Sequence, residues 1–282
     1  GAPMPATEPP VSVPNVRVLS ALPRDHEGFR IRDERAMRAL WRAEERHFWH
    51  RSRNRLVEGR LARLGARPPA RVLEVGCGSG CVSASLARRG YRVTGVDGHP
   101  SLVFQAATRA PSAEFIVHDI AGGSHPLASL EPFDVVGLFD VLEHLDGPAR
   151  ALEDALELVR PGGLVVGTVP ALMALWSQVD VQAGHRLRYS RADLRALLEP
   201  LPAALVEVVP FNRSLVPALW LQRRLVVGSD EASTAENNLR VPPRPLNLAL
   251  YGLLRAEHRL APLLDPTPLP GASLWFALRK PG

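Results

Sequence analysis

Short apolar runs alternate with amphipathic segments through the middle of the chain. Residues 72–75 and 164–169 have the length and composition of buried strands, whereas residues 81–89 and the segment after Pro148 place apolar side chains on one helical face. Strands that alternate with helices favour a parallel sheet with both faces covered. The pattern therefore predicts an α/β fold.

A glycine-rich turn follows the first predicted strand. Residues 72–80 read Val-Leu-Glu-Val-Gly-Cys-Gly-Ser-Gly, and alternate glycines allow positive φ and close approach of the backbone to a ligand. The next segment can begin a helix whose free amides face the same point. A dinucleotide fingerprint would need glycine or alanine where Cys81 stands, so the NAD pattern fails. We therefore expect a different nucleotide-like ligand.

Acidic residues follow the next three predicted strands. The second strand ends at Asp97, the third is followed by Asp119, and the fourth runs into Asp140. In order and spacing, the glycine turn and these acids resemble the motifs of the class I S-adenosylmethionine-dependent methyltransferases, of the bacterial small-molecule type. The resemblance covers residues 47–210 and the last strand.

The resemblance implies which residues bind the methyl donor, S-adenosylmethionine. Asp97 is expected to accept both ribose hydroxyls, and Asp119 the adenine amino group, with a backbone contact from Ile120 beside it. The loop after the fourth strand is expected beneath the reactive sulfonium. The complete implied set is Trp49, Arg53, Glu74, Gly76, Cys77, Gly78, Gly80, Asp97, Gly98, Asp119, Ile120, Phe139 and Asp140.

The resemblance also implies the arrangement of the domain. We expect a doubly wound, seven-stranded, mostly parallel sheet whose last strand enters antiparallel between the fifth and the sixth. Residues 1–24, rich in proline, are expected to form a flexible leader, and 25–282 a single methyltransferase domain. Its predicted parts are N-terminal helices that form a lid (25–66), the cofactor-binding core (67–210), a helical insertion (211–272) and the final strand (273–282).

The segment before the first strand is unusually aromatic and basic at residues 47–53. It resembles the N-terminal lid helix of many small-molecule methyltransferases, which folds over the cofactor. Arg53, or Arg51, is then expected to hold the carboxylate of the cofactor. Packing of Phe48 and Trp49 into the core is the alternative.

His144 is the candidate general base, because it follows the fourth strand beside the expected methyl group and can titrate near neutral pH. Asp140 and Tyr189 complete the candidate catalytic set; a histidine that only fixes the loop is the alternative for His144. The series Asp140-x-x-Glu143-His144 also resembles a loop that holds a divalent metal in some quinone O-methyltransferases. Three ligands so close together would need an open, strained loop, so a metal is not favoured.

Aromatic and histidine residues near the expected methyl group are candidates for binding the acceptor. Residues 184–189 resemble a Gly-His…Arg-Tyr segment of bacterial small-molecule methyltransferases, with a salt-bridged loop as the alternative. The candidates are His50, Trp176, His185, Tyr189 and Phe211. The apolar insertion is expected to act as a substrate lid or a dimer surface, and contact with a membrane is a further alternative.

Charge and cysteine content narrow the classes of partner. The 34 basic and 29 acidic residues give a net charge of +5, but the arginines are scattered beside acids rather than clustered, which does not favour nucleic acid. Cys77 and Cys81 cannot build a disulfide framework, and the longest apolar run is too short to span a bilayer, so we expect a cytoplasmic protein without membrane insertion. A homodimer remains open.

The sequence therefore predicts methyl transfer to oxygen or nitrogen of a small molecule, such as a secondary metabolite. One alternative is a nucleic-acid or protein methyltransferase, although no Asn-Pro-Pro-Tyr-type loop follows the fourth strand. A non-catalytic cofactor-binding scaffold is another, because such folds can lose activity.

Overall fold

The computed structural model describes residues 14–20, 41, 43–120, 125–225 and 241–282. It confirms the predicted α/β fold with helices on both faces of a mostly parallel sheet. The strands are β1 (Val16–Val18), β2 (Arg71–Val75), β3 (Arg92–Asp97), β4 (Glu114–Val117), β5 (Phe133–Phe139), β6 (Val159–Pro170), β7 (Ala204–Phe211) and β8 (Ser273–Arg279). The helices are α1 (Phe48–Arg63), α2 (Cys81–Arg88), α3 (Pro100–Arg109), α4 (Pro148–Leu158), α5 (Gln178–Ala183), α6 (Arg191–Leu198), α7 (Val216–Leu225), α8 (Arg244–Arg259) and α9 (Ala261–Leu264).

The strand order is β1-β4-β3-β2-β5-β6-β8-β7. β8 runs antiparallel to both neighbours, β6 and β7, as expected of the last strand. Because β2, β3, β4 and β5 pair in parallel, their carboxyl ends meet at one edge of the sheet, where open α/β sheets bind ligands.

The sheet has one strand more than predicted. β1 pairs in parallel with β4, and it lies within residues 1–24, which the sequence predicts to be a flexible leader. Only three residues form β1, so no periodic pattern marks it among the prolines. Residues 1–13 and 21–24 of that leader, and residues 25–40 of the predicted N-terminal helices, lie outside the described residues.

Alternate residues of β8 show how the sheet separates two apolar clusters. Phe276 and Leu278 belong to the cluster on one face, whereas Trp275 and Ala277 belong to the cluster on the other. All four side chains are fully buried. A strand with apolar side chains on both sides is typical of a sheet that is covered on both faces. Because both faces are covered, a ligand can reach the sheet at the carboxyl ends of the strands.

The insertion forms helices, as predicted, and a third apolar cluster joins it to α1. Phe48 of α1 packs with Leu215 and with Leu254 of α8. The segment between α7 and α8, residues 226–240, lies outside the described residues. Among the helices that the structure describes, none is long and apolar enough to cross a membrane.

Candidate functional site

The glycine turn between β2 and α2 forms an open cradle. Gly76, Gly78 and Gly80 all have positive φ, at 69°, 51° and 75°. A Cβ on Gly76 would lie 2.6 Å from Val141, and one on Gly80 would lie 2.7 Å from Ala106, whereas no atom lies within 4 Å of the same position on Gly78. The outer glycines are thus required by packing, and the middle one faces space that a ligand can enter.

Asp97, at the end of β3, is held against this turn. Its Oδ2 accepts a hydrogen bond from the Gly78 amide at 2.9 Å, and its Oδ1 accepts one from the His99 amide, also at 2.9 Å. These bonds fix the carboxylate that is predicted to bind ribose, and Gly98 follows it in the same loop. Cys77 has a buried side chain, so it can meet a ligand only through its backbone.

Glu74 lies beneath the turn rather than on its surface. It is 3% exposed and accepts a hydrogen bond from the Ser83 hydroxyl of α2. Burial raises the pKa of Glu74 to about 7, although the Ser83 bond and the charge of Arg53 oppose this rise. The carboxyl group therefore ties the strand to the helix that follows the turn.

The N-terminal segment supports the loop predicted to bind adenine. The amides of Leu19 and Ser20 both donate to the carbonyl of Val117, the last residue of β4, at 2.9 and 3.2 Å. The Ser20 hydroxyl accepts from the Asp119 amide at 3.1 Å and bonds His118 Nδ1 at 2.8 Å. Sequence reasoning missed Ser20, because a contact across 99 residues leaves no local signal. Ile120 follows Asp119 and is half-buried.

Arg53 of α1 reaches the loop after β5. Its Nη1 donates to Asp140 Oδ2 at 2.7 Å, and the Thr168 hydroxyl donates to Asp140 Oδ1 at 2.9 Å. Asp140 has φ 56°, a left-handed conformation that is uncommon outside glycine, directly after the buried Phe139. Both carboxylate oxygens are therefore occupied, and Asp140 is a fixed anchor rather than a free base. Arg53 Nε is buried and has no partner among the described residues.

Glu143, His144 and His185 meet beside this anchor. One ligand atom from each lies within 4.8 Å of the others. Glu143 is fully buried, and neither of its carboxylate oxygens has a hydrogen-bond partner in the described part of the chain. Burial, together with the charge of Asp140, raises the pKa of Glu143 well above its usual value. A buried carboxylate without partners is costly unless it is protonated or meets a cation.

Both histidines are held through Nδ1, and His185 Nε2 faces Glu143. His185 Nδ1 lies 3.0 Å from Asp180 Oδ1, and His144 Nδ1 lies 3.3 Å from the Gly184 carbonyl oxygen. Carbonyl and carboxylate oxygens only accept, so each Nδ1 carries the proton and each Nε2 keeps its lone pair when the ring is neutral. Burial and the neighbouring His185 lower the pKa of His144.

Asp180 is the hub that holds this arrangement. The fully buried carboxylate also accepts from Arg188 Nε at 2.7 Å and pairs with Arg223 of α7 at 3.5 Å. Burial alone would raise the pKa of Asp180, but the His185 bond and the Arg188 charge lower it, so the group stays ionised. The metal-like cluster thus differs from the Asp140-Glu143-His144 series in the sequence, because Asp140 is engaged elsewhere and His185 takes its place.

The remaining predicted residues lie around this centre with different surroundings. The Tyr189 hydroxyl donates to the Leu142 carbonyl oxygen at 3.3 Å, and burial raises the pKa of Tyr189 to about 12. His50 has a buried Nδ1 without a hydrogen-bond partner among the described residues, and burial and Arg53 lower its pKa well below the usual value. Trp49 packs against the third apolar cluster, Phe211 is buried at the end of β7, and Trp176 is half-buried. The contact of Trp49 with the cofactor, and the contacts of the other residues with an acceptor, stay predictions.

Comparison with known proteins identifies related sequences. Residues 48–207, more than half of the chain, match a family model described as a methyltransferase domain. A ubiquinone biosynthesis O-methyltransferase of Xylella fastidiosa (strain 9a5c) is 31% identical over 169 residues, which are 58% of this chain and 64% of that protein. One of the same description from Aeromonas salmonicida is 37% identical over 97 residues, 34% of this chain and 41% of that protein. The chain therefore spans less than two thirds of the length of these relatives.

Solved structures share the fold at lower identity. The N-methyltransferase NodS from Bradyrhizobium japonicum, in complex with S-adenosylhomocysteine, is 19% identical with a TM-score of 0.51, and the match covers 88% of this chain and 98% of that one. The cyclase SpnF is 19% identical with a TM-score of 0.53, over 83% of this chain and 82% of that one. These likenesses show the fold, and a fold alone does not fix the reaction.

Proposed function

Since the chain belongs to the class I S-adenosylmethionine-dependent methyltransferases, we propose that it transfers the methyl group to an oxygen atom of a small molecule. The observation that carries this proposal is the cluster of Glu143, His144 and His185 at the carboxyl end of β5. The names of the relatives, ubiquinone biosynthesis O-methyltransferases, support oxygen over nitrogen. We propose a bulky, hydrophobic phenol or a similar secondary metabolite as the acceptor.

The cradle fits the donor. Gly78 leaves room for close approach of the backbone, and Arg53 Nε is a buried donor without a partner in the described residues. Gly78, Asp97, Asp119 and Arg53 are the residues that would hold the donor through its nucleoside and its carboxylate. When bound, S-adenosylmethionine supplies a methyl group on a positively charged sulfur. The protein has little new charge to stabilise, so its task is to align the acceptor and exclude water.

The histidines can remove the proton of the acceptor. Because its pKa is lowered, His144 is neutral at physiological pH and can accept a proton at Nε2. His185 presents its own Nε2 to the same space, where it lies 3.9 Å from Glu143 Oε1. Oxygen acceptors such as phenols need this step, since the neutral hydroxyl is a poor nucleophile.

As the alternative to a general base at His144, we propose that Glu143, His144 and His185 hold a divalent cation, in which case the free imidazole lone pairs bind the cation instead of a proton. Two imidazole nitrogens and a carboxylate form a donor set suited to a first-row transition ion such as Mn²⁺ or Zn²⁺. The unpartnered oxygens of Glu143 favour this role over a histidine that acts alone. A bound cation would polarise the acceptor hydroxyl and lower its pKa.

The choice of acceptor atom is tested with matched compounds. The purified protein is incubated with methyl-labelled S-adenosylmethionine and either catechol-type acceptors or the 2-aminophenol counterparts, in parallel with an extract of the source organism. Mass spectrometry then locates the label. Label on oxygen supports the proposal, whereas label on nitrogen, or on protein or nucleic acid in the extract, contradicts it.

The cation is tested by binding as well as by rate. Calorimetry with Mn²⁺ or Zn²⁺ should show one site in the wild type and at least tenfold weaker binding in Glu143→Gln. EDTA should stop turnover, and added metal should restore it. No heat in the wild type together with EDTA-resistant turnover would assign the proton transfer to His144 alone.

A further inference from the structure

One side of α8 presents a continuous apolar stripe to solvent. Its leucines recur every seventh residue and are 51%, 45% and 49% exposed, and exposed alanines lie between them. Residues at this spacing share one helical face. In order along the helix and its C-cap, the stripe consists of Leu246, Ala249, Leu253, Ala256 and Leu260.

The side of α8 next to this stripe is fastened to the domain, so the helix cannot turn its stripe inward. The Asn247 side chain accepts from the Phe48 amide at 2.9 Å, and Leu254 is fully buried. Glu257 accepts from the backbone amides of Arg213 and Ser214 at 2.8 and 2.9 Å. Buried polar bonds at both ends of the helix therefore fix its orientation.

The exposed charged residues of α8 are all basic. Arg244, Arg255 and Arg259 are exposed, and the one acid of this helix, Glu257, is buried against the domain. Arginine side chains are long enough to reach beyond neighbouring leucines while their stems stay on apolar surface. The outward face of α8 is thus apolar and cationic with no carboxylate of its own.

A second copy of this chain fits the stripe poorly. From Leu246 to Leu260 the stripe is about 21 Å long and roughly one side chain wide, on the order of 200 Å². A stable interface needs roughly 800 Å² from each partner. Symmetric pairing of two such helices would also bring arginines of the same sign together.

We propose that α8 docks on an anionic lipid surface. The leucines would enter the boundary between headgroups and acyl chains, and the arginines would meet lipid phosphates, as amphipathic helices do at membrane interfaces. The stripe lies in the insertion, outside residues 48–207, so this surface is separate from the matched methyltransferase region. Through Leu254 and Phe48, docking would hold α1 and the acceptor side of the site near the bilayer.

The proposal is tested by flotation of the full chain with lipid vesicles, without any methyl acceptor. Vesicles of phosphatidylcholine with about 40% phosphatidylglycerol are compared with pure phosphatidylcholine vesicles at low and high salt. We expect binding to the anionic vesicles that falls at high salt. Leu253→Glu should weaken it more than tenfold, and each of Arg255→Gln and Arg259→Gln about fivefold.

Val206→Glu is the matched control, because Val206 is a similarly exposed apolar residue on β7. Its binding should equal that of the wild type, and circular dichroism should show that every variant is folded. Equal binding to both vesicle types, no binding, or wild-type binding by Leu253→Glu would overturn the proposal. A dimer in sedimentation velocity that Leu253→Glu dissociates, without vesicle binding, would assign the stripe to a second copy.

Discussion

The cofactor side and the acceptor side of the site are built in different ways. On the cofactor side, short contiguous motifs supply the groups, as in the glycine turn, where Asp97 bonds the amide of Gly78. On the acceptor side, Glu143 and His185 come from separate loops, and Asp180 aligns His185. A site built from backbone groups and local motifs is little affected by substitutions elsewhere in the chain, whereas a site built from side chains of distant segments is sensitive to them. Substitutions should therefore impair cofactor binding and turnover separately.

The largest effect is expected from Asp97→Ala. The variant loses charge-assisted bonds to ribose and the acceptor that fixes the glycine turn, so affinity for S-adenosylhomocysteine should fall about a thousandfold. Calorimetry measures it, with Glu114→Ala, an exposed acid on β4, as the control. A drop of less than tenfold would show that the turn binds without this acid.

The next effect concerns the pH dependence of stability through Glu74. Its pKa is about 7 in the folded chain and near 4.5 when unfolded, so the folded state binds the proton more tightly. Between these values stability falls as pH rises, by at most about 3 kcal/mol from this group. Chemical unfolding of the wild type and of Glu74→Gln at pH 5 and pH 8 isolates the contribution of this carboxyl group to the free energy of unfolding. An equal pH dependence in both proteins would contradict the buried, proton-binding carboxyl.

His185→Ala should separate the two sides most clearly. Removal of this imidazole should lower kcat about a hundredfold and leave the affinity for S-adenosylhomocysteine within twofold. Val181→Ala, an exposed position in α5, serves as the control. If the affinity falls together with kcat, the two sides are not independent.

The smallest effect is expected from Ser20→Ala. Loss of the bonds to Asp119 and His118 should lower the affinity for S-adenosylhomocysteine about fivefold. Binding of S-inosylhomocysteine, which lacks the adenine amino group, should barely change. Ser20→Thr should restore the affinity, and Arg17→Ala on the preceding strand β1 should have no effect. Equal losses for both ligands would mean that Ser20 does not act through adenine recognition.

The same comparison explains how much the sequence could predict. The glycine turn, Asp97 and the strand ends follow from local pattern, because each motif lies within a few residues of a regular apolar run. The contacts of Ser20 with Asp119 and of Thr168 with Asp140 join distant segments, and nothing local marks them.

The periodicity of apolar residues also does not predict how a helix packs. It indicates which residues of α8 share a face, but not which face is covered, and the structure buries Leu254 while it exposes Leu246 and Leu253. For the same reason the sequence offered Asp140 as a companion of Glu143 and His144. Only the fold reveals that Arg53 and Thr168 occupy Asp140 and that His185 fills the gap.

The contact between Arg223 and Asp180 limits which segments of the chain can be exchanged with those of a related protein. Arg223 belongs to the insertion, and burial beside Arg188 lowers its pKa to about 10, while Asp180 aligns His185. A chimera that imports another insertion to accept a different substrate removes this cation from a buried carboxylate. Grafts of this region must therefore carry an arginine at the equivalent position of α7, or they alter the reaction centre along with the selectivity.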